Sequence, residues 1–283
     1  MPAAPGSSRV APSRSMHRAG ASALLGVFGA FLLGATAGLA RADEPAPAPP
    51  TRSAAALGLV ERAIGCAGGE RYAAVAQTVW QVEGTSSGGA QPMPFTGEIA
   101  QAYPDKLRIR FDMKVGPDRT FQYASTFDGR AGWVVLNGEK RAMSADEVAE
   151  ALETANLSNA SHLLALRSDA AFGLADPVDV ERDGSKLRSV TVSRAGRRSL
   201  ALLFDPESGR LARSEAQVKD LRAGGELVAQ ATVLKDFRDH EGVTHPMAWT
   251  VFRNGKEHST TRVRELTSAP TVDAALFAEP ASK

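Results

Sequence analysis

Leu107-Arg108-Ile109-Arg110-Phe111-Asp112-Met113-Lys114-Val115 carries an apolar side chain at every odd position and a charged one at every even position. A strand turns successive side chains to opposite faces, so this period of two predicts a strand with one dry face and one wet face. A helix, with its period of 3.6, would mix the two sets. Turn signals follow on either side of further apolar runs. Gly116-Pro117-Asp118 leads into Thr120–Phe127, Asp128-Gly129 separates that run from Gly132–Leu136, and Asn137-Gly138 supplies the pair favoured in a two-residue hairpin. From Asp105 to Met143 the chain therefore reads as four consecutive antiparallel strands.

Upstream, Leu57, Val60 and Ile64 share one helical face from Ser53 to about Ile64, with Gly65, Gly68 and Gly69 ending it. A second helical turn is expected around Tyr72 to Ala76. Two strands then precede the organising stretch, one at Thr78–Glu83 and one at Phe95–Ile99, closed by Pro104. Downstream the period changes. Ser144-Ala145-Asp146-Glu147 has the form of a capping box, and Val148, Leu152 and Ala155 follow at helical spacing. Asn156 and Asn159 predict a break, with Leu163, Leu164 and Leu166 on a second short helix. From Asp176 strands resume with short returns, at Asp183-Gly184, Asp205-Pro206-Glu207-Ser208-Gly209, Gly224-Gly225, Glu241-Gly242 and Asn254-Gly255.

Short returns make a meander, in which strands adjacent in sequence are adjacent in the sheet. About eleven or twelve strands are more than a flat sheet holds without curling. The expected fold is mainly β (α+β): a curved antiparallel half-barrel with an N-terminal helix and a helical insertion as plug.

The formal charge of +1 conceals an asymmetry, because residues 1–42 hold Arg9, Arg14, Arg18 and Arg41 and no acid, leaving the remainder at −3. Such a remainder has no electrostatic reason to seek nucleic acid. The basic, apolar and small-x-small order of residues 1–42, ending Ala40-Arg41-Ala42, predicts a cleaved secretory signal and a periplasmic protein. The alternative reading is an uncleaved N-terminal anchor, and Met16 is an alternative start. Residues 43–52 are a Pro/Ala-rich spacer, and 53–280 form a single domain. Cys66 is the one cysteine, so no internal disulfide forms, and a buried thiol is expected.

Three phrases carry a resemblance: Thr126-Phe127-Asp128-Gly129…Gly132-Trp133; Leu203-Phe204-Asp205-Pro206-Glu207-Ser208-Gly209-Arg210-Leu211; and Asp236-Phe237-Arg238…Gly242-Val243…Pro246. With the order of elements, they resemble the LolA/LolB-like superfamily of outer-membrane lipoprotein-sorting proteins over most of the chain after the signal. That resemblance implies a curved sheet around a hydrophobic cavity that receives lipid or lipoprotein acyl chains, with Ser144–Leu166 as the plug. The chain differs in having one helical insertion, and it lacks a cysteine at the expected cleavage point. A general lipid- or amphiphile-binding role is the inference that survives both differences.

On these strand phases, the ligand-facing residues are Leu107, Ile109, Phe111, Met113, Phe121, Tyr123, Trp133, Met247, Trp249 and Val251, with Val148, Leu152, Leu163 and Leu164 on the plug. The competing reading is a closed core filled by these same side chains, which makes the protein an envelope interaction module that works through its rim. The expected hinge is Asn156-Leu157-Ser158-Asn159. His240 and His245 flank a turn, but no third ligand has metal-site spacing, and His162 and His258 read as surface or packed residues. Catalytic motifs are absent, so neither chemistry nor a cofactor is expected. Lipid or a lipoprotein acyl chain is the expected partner, an envelope protein is a further candidate, and the protein is expected to be a monomer.

Overall fold

The computed structural model describes residues 50–281 apart from 88–90, 117 and 221–224. The expected signal, most of the expected spacer, and parts of the turns at Gly116-Pro117-Asp118, Ser87–Gly89 and Gly224 lie outside the described residues.

The chain begins with α1 (Ala54–Ala67), where Ser53 accepts a hydrogen bond from the Ala56 amide and Gly68 ends the helix at φ 123°. After α2 (Glu70–Ala73) come β1 (Gln77–Ser86) and β2 (Met93–Ala102). The organising stretch forms β3 (Lys106–Lys114), β4 (Thr120–Phe127), β5 (Gly132–Leu136) and β6 (Glu139–Ala142), the four strands its alternation predicts. The helices α3 (Ala145–Ser161) and α4 (Leu164–Ser168) follow, then β7 (Phe172–Leu174), β8 (Val178–Arg182), β9 (Ser185–Arg194), β10 (Leu200–Phe204), β11 (Leu211–Asp220), β12 (Glu226–His240), β13 (Val243–Arg253) and β14 (Lys256–Ala269). A 3-10 turn, Ala274–Phe277, lies near the end. Fourteen strands are present among the described residues, where eleven or twelve are expected from the sequence. Short pieces such as the three-residue β7 carry too few alternating positions to be read.

All fourteen strands form one antiparallel sheet, running β6-β5-β4-β3-β2-β1-β14-β13-β12-β11-β10-β9-β7, with β8 also on β9. Two meanders are thus joined where the first strand pairs with the last. The sheet is not closed, and β6 and β7 lie toward its opposite edges. The chain between them, α3 and α4, must therefore cross from one edge to the other, and it does so over the inner face. Topology alone places the insertion as a cover.

The inner face carries two apolar clusters. On β7, β9, β10 and β11, Phe172, Leu174, Val190, Val192, Leu202 and Phe204 pack beneath Val60 and Ile64 of α1 and Leu166 of α4. On β1 to β5 and β14, Val82, Phe95, Phe111, Met113, Tyr123 and Val263 pack mainly on one another. The Phe95 and Phe111 ring centroids are 4.9 Å apart. Each ring also covers a glycine on the neighbouring strand: a Cβ on Gly84 would strike Phe95, and one on Gly97 would strike Phe111. These glycines admit aromatic rings that no larger residue would leave room for.

The helical insertion differs from its expected form. Ser144 and Glu147 make the capping box, and α3 runs unbroken through Asn156-Leu157-Ser158-Asn159 to Ser161. The interruption comes at Leu163, whose backbone takes φ 68°. Asn156 and Asn159 do not break the helix because both are buried in it, Asn156 accepting from Arg194 at 3.3 Å. The buried face of α3 is largely polar, including Glu147, Glu150, Asn156 and Asn159, whereas Val148 and Leu152 are half-buried and belong to neither cluster. Arg198 pairs with Glu150 at 2.7 Å and Glu153 at 3.4 Å, fastening α3 to the β9–β10 turn. Leu163 and Leu164 do pack on the helix-covered cluster.

Residues read as the end of the spacer are tied to the fold. Leu174 donates its amide to Thr51 and accepts from Ser53, and the Arg52 guanidinium donates to the carbonyls of Leu166, Asp169 and Phe172. On the outer face, Phe277 is buried against Ala100 and Ala102, and Lys140 pairs with Glu279 at 2.8 Å.

Candidate functional site

Between the two inner clusters lies a cavity of about 300 Å³. This is at the lower end of the roughly 300–1,000 Å³ typical of small-molecule sites. Its sheet side is built by Trp80 of β1, Ile99 of β2, Leu234 of β12 and Trp249 of β13. Ala63, Cys66 and Ala67 close it from α1, where the i, i+3, i+4 spacing sets three small side chains on one face. Such small side chains leave the space between the helix and the sheet unfilled.

At the end nearest the insertion, His162 is stacked flat on Tyr103, with ring centroids 3.4 Å apart and an interplanar angle of 11°. Tyr72 donates its hydroxyl to the His162 carbonyl at 2.7 Å. Gln101 donates to the Ser158 hydroxyl, linking β2 to α3. Burial, reinforced by the neighbouring His245, pushes His162 down to about 3. Burial likewise pushes His245 down to about 4, with His240 adding to the effect. Both imidazoles are therefore neutral near pH 7. The His245 Nε2 lies 3.3 Å from the Ser268 hydroxyl. Burial also raises the Tyr72 and Tyr103 hydroxyls above the ordinary phenol value, so they stay protonated.

Cys66 and both histidines touch the cavity, a combination that would invite comparison with a Cys-His pair. The Cys66 thiol instead donates to the Ser208 carbonyl at 3.2 Å. No group of three metal-ligating side chains is assembled among the described residues. What the arrangement offers is a small apolar space with neutral polar groups at one end.

Leu107, Ile109, Phe111, Met113, Phe121 and Tyr123 lie together in the cluster on β1 to β5, with Met247 and Trp249 packed against it. Of the ligand-facing and plug residues named from the sequence, Trp249 and Leu163 line the cavity, and His162 and His245, not assigned to it, line it as well. Val251 is buried and pairs with Thr232 and Ser259 beyond the cavity wall. Trp133 faces the other side of the sheet: Tyr123 pairs with Leu136 and Ser125 with Val134, so the inner positions of β5 are even-numbered and Trp133 pairs outward with Thr126. The turn at Asp128–Ala131 changes the parity, which extrapolation along odd numbers missed. His162 and His258 are buried rather than on the surface. The cavity's remaining wall, from Ala63 to Tyr103 and Leu234, gave no sequence signal because eight elements contribute only one to three further residues each. Alternation at Thr78 and Trp80, carried across the strand pairing to Ile99 and Gln101, would have found part of it.

No family model matches the chain, and no curated protein does. Solved structures do match. A DUF1329 family protein from Desulfovibrio piger ATCC 29098 is similar at 12% identity, over 82% of this chain and 100% of that one, with a TM-score of 0.51. A LolA superfamily protein from Nitrosomonas europaea matches at 11% identity over 80% and 99%, with a TM-score of 0.49. An outer membrane lipoprotein-sorting protein domain from Vibrio parahaemolyticus matches at 10% over 77% and 97%, with a TM-score of 0.45. The likeness is one of fold alone: in this chain, an unclosed, curved antiparallel sheet with helices over its inner face.

Proposed function

We propose that this protein binds and carries a hydrophobic ligand, a lipid or a lipoprotein acyl chain, in the periplasm, without chemistry of its own. The observation that carries this reading is the cavity of about 300 Å³ beneath the end of α1 and the α3–α4 junction, lined by Trp80, Ile99, Leu234 and Trp249. An apolar void inside a folded domain forfeits the contacts its lining would otherwise make, so a ligand that supplies those contacts gains from both burial and packing. The space suits one slender apolar group. The basic and apolar pattern of residues 1–42 supports export, and no helix among the described residues is long and apolar enough to cross a membrane. The interruption at Leu163 replaces Asn156–Asn159 as the place where the cover would bend to admit a ligand.

Native mass spectrometry of protein gently purified from its source tests this. The expected spectrum contains a bound species with the mass of one lipid or lipid-modified peptide. A bare protein mass under conditions that preserve a control lipid complex would contradict the reading. The self-packed cluster around Phe111 favours the second reading for that part of the sheet, a filled module whose rim meets an envelope protein. Capture of such a partner by lipid-free protein would support it.

A further inference from the structure

The cavity wall is uniform in one respect: no aspartate or glutamate lines it, and its one permanently charged side chain among the described residues is Arg210. Arg210 immediately precedes β11, with its guanidinium carbon 5.4 Å from the Phe237 ring centroid. Its Nε is buried without a hydrogen-bond partner, and no carboxylate among the described residues forms an ion pair with it. Its neighbours are engaged elsewhere: Arg62 donates to the Glu207 carbonyl at 2.8 Å, and Arg238 pairs with Asp236 at 2.7 Å. Asp205, on the same turn, is committed to the amides of Ser208 and Glu207, at 2.6 and 3.1 Å. Trp80, on another part of the wall, also keeps a buried indole N–H without a partner. Arginine and tryptophan side chains donate and cannot accept. A buried donor left unmatched is costly, and a guanidinium more so, unless a ligand completes it.

We infer that the ligand is an anionic amphiphile, whose carboxylate or phosphate oxygens meet Arg210 at the rim while its apolar tail occupies the cavity. This rests on the hydrophobic-ligand reading and narrows it to a chemical class. A planar guanidinium can donate two parallel hydrogen bonds to an oxyanion, and Phe237 holds its plane from one side. A neutral or cationic head of the same tail length would leave the donors unmatched or meet like charge.

The test uses the full chain after its signal and displacement of N-phenyl-1-naphthylamine by dodecanoate, dodecanol, dodecylammonium and inorganic phosphate at constant ionic strength. Dodecanoate is expected to compete about tenfold more tightly than dodecanol, with dodecylammonium weaker still and inorganic phosphate without effect, because charge-assisted hydrogen bonds add to a common tail contribution. Arg210→Met should abolish the preference of dodecanoate over dodecanol, and Arg210→Lys should restore part of it. Equal competition by dodecanoate and dodecanol in the unaltered protein would overturn the anionic head and leave the carrier reading standing. Failure of all three tailed compounds and of the naphthylamine to bind would remove both. Competition by phosphate alone would show an anion site unconnected to the cavity and would overturn the inference. The preference within the unaltered protein needs no variant, so misfolding of Arg210→Met would not leave the question open.

Discussion

The two apolar regions of the inner face are built from similar side chains and end in opposite conditions. Around Phe111, rings from adjacent strands interlock over Gly84 and Gly97, and the sheet fills its own curl. Between that cluster and the helix-covered one, α1 meets the sheet through Ala63, Cys66 and Ala67, and about 300 Å³ is left between them. Whether a dry face becomes core or cavity depends on the size of what stands opposite it. A strand's alternation reports only that the face is dry.

The largest expected effect falls in the filled region. Phe111→Ala should cost about 3–5 kcal/mol of folding stability in urea denaturation, the range for truncating a fully buried aromatic. Its effect on hydrophobic-probe affinity should be small. A loss below about 1 kcal/mol would mean the region is not close-packed and that the contrast is false.

Acid should act on the other region. His162 and His245 are neutral in the folded protein and titrate near pH 6.5 when unfolded, so unfolding takes up protons as pH falls below that value. Their contribution is complete above about pH 7 and is lost progressively from about pH 6.5 down to about pH 4 for His245 and about pH 3 for His162. The slope approaches about 1.4 kcal/mol per pH unit for each proton taken up. Asp205, held below the ordinary carboxylate value chiefly by the Ser208 amide, adds its loss at lower pH still. Hydrogen exchange at pH 5 against pH 7 is expected to show α3 residues 158–161 opening before β3 and β4. Uniform loosening would remove the distinction between the two regions.

Smaller again is the effect of freeing the cover. Arg198→Met leaves Glu150 and Glu153 without their shared guanidinium and should cost about 2 kcal/mol, below the full penalty for a buried pair because the site is partly hydrated. Stopped-flow release of a bound probe should quicken. Unchanged release would show that α3 does not gate the cavity.

Much of this fold is visible in residues 105–143, where the odd positions of β3 are indeed the inner ones. The capping box at Ser144 marks the insertion, and the turn residues mark the returns. Trp133 was misplaced because parity changes across the Asp128–Ala131 turn, which local periodicity does not record. The helix break was misplaced because Asn156 and Asn159 look like breakers in sequence, whereas both lie buried within α3 and Asn156 accepts from Arg194. Leu163, which does take the left-handed conformation, carries no sequence mark of it. The cavity was hardest to read: its wall depends on the pairing of β1 with β14, which brings β1 and β2 near β12 and β13, and on three small residues of α1 that face it.

The most direct test is to fill the space. Titration of the unaltered protein with N-phenyl-1-naphthylamine should show one saturable site, and Ala67→Trp should weaken it at least about tenfold, while urea stability stays within about 1 kcal/mol because the new ring enters existing volume. Undiminished binding in a folded Ala67→Trp protein would contradict the account and move the ligand elsewhere.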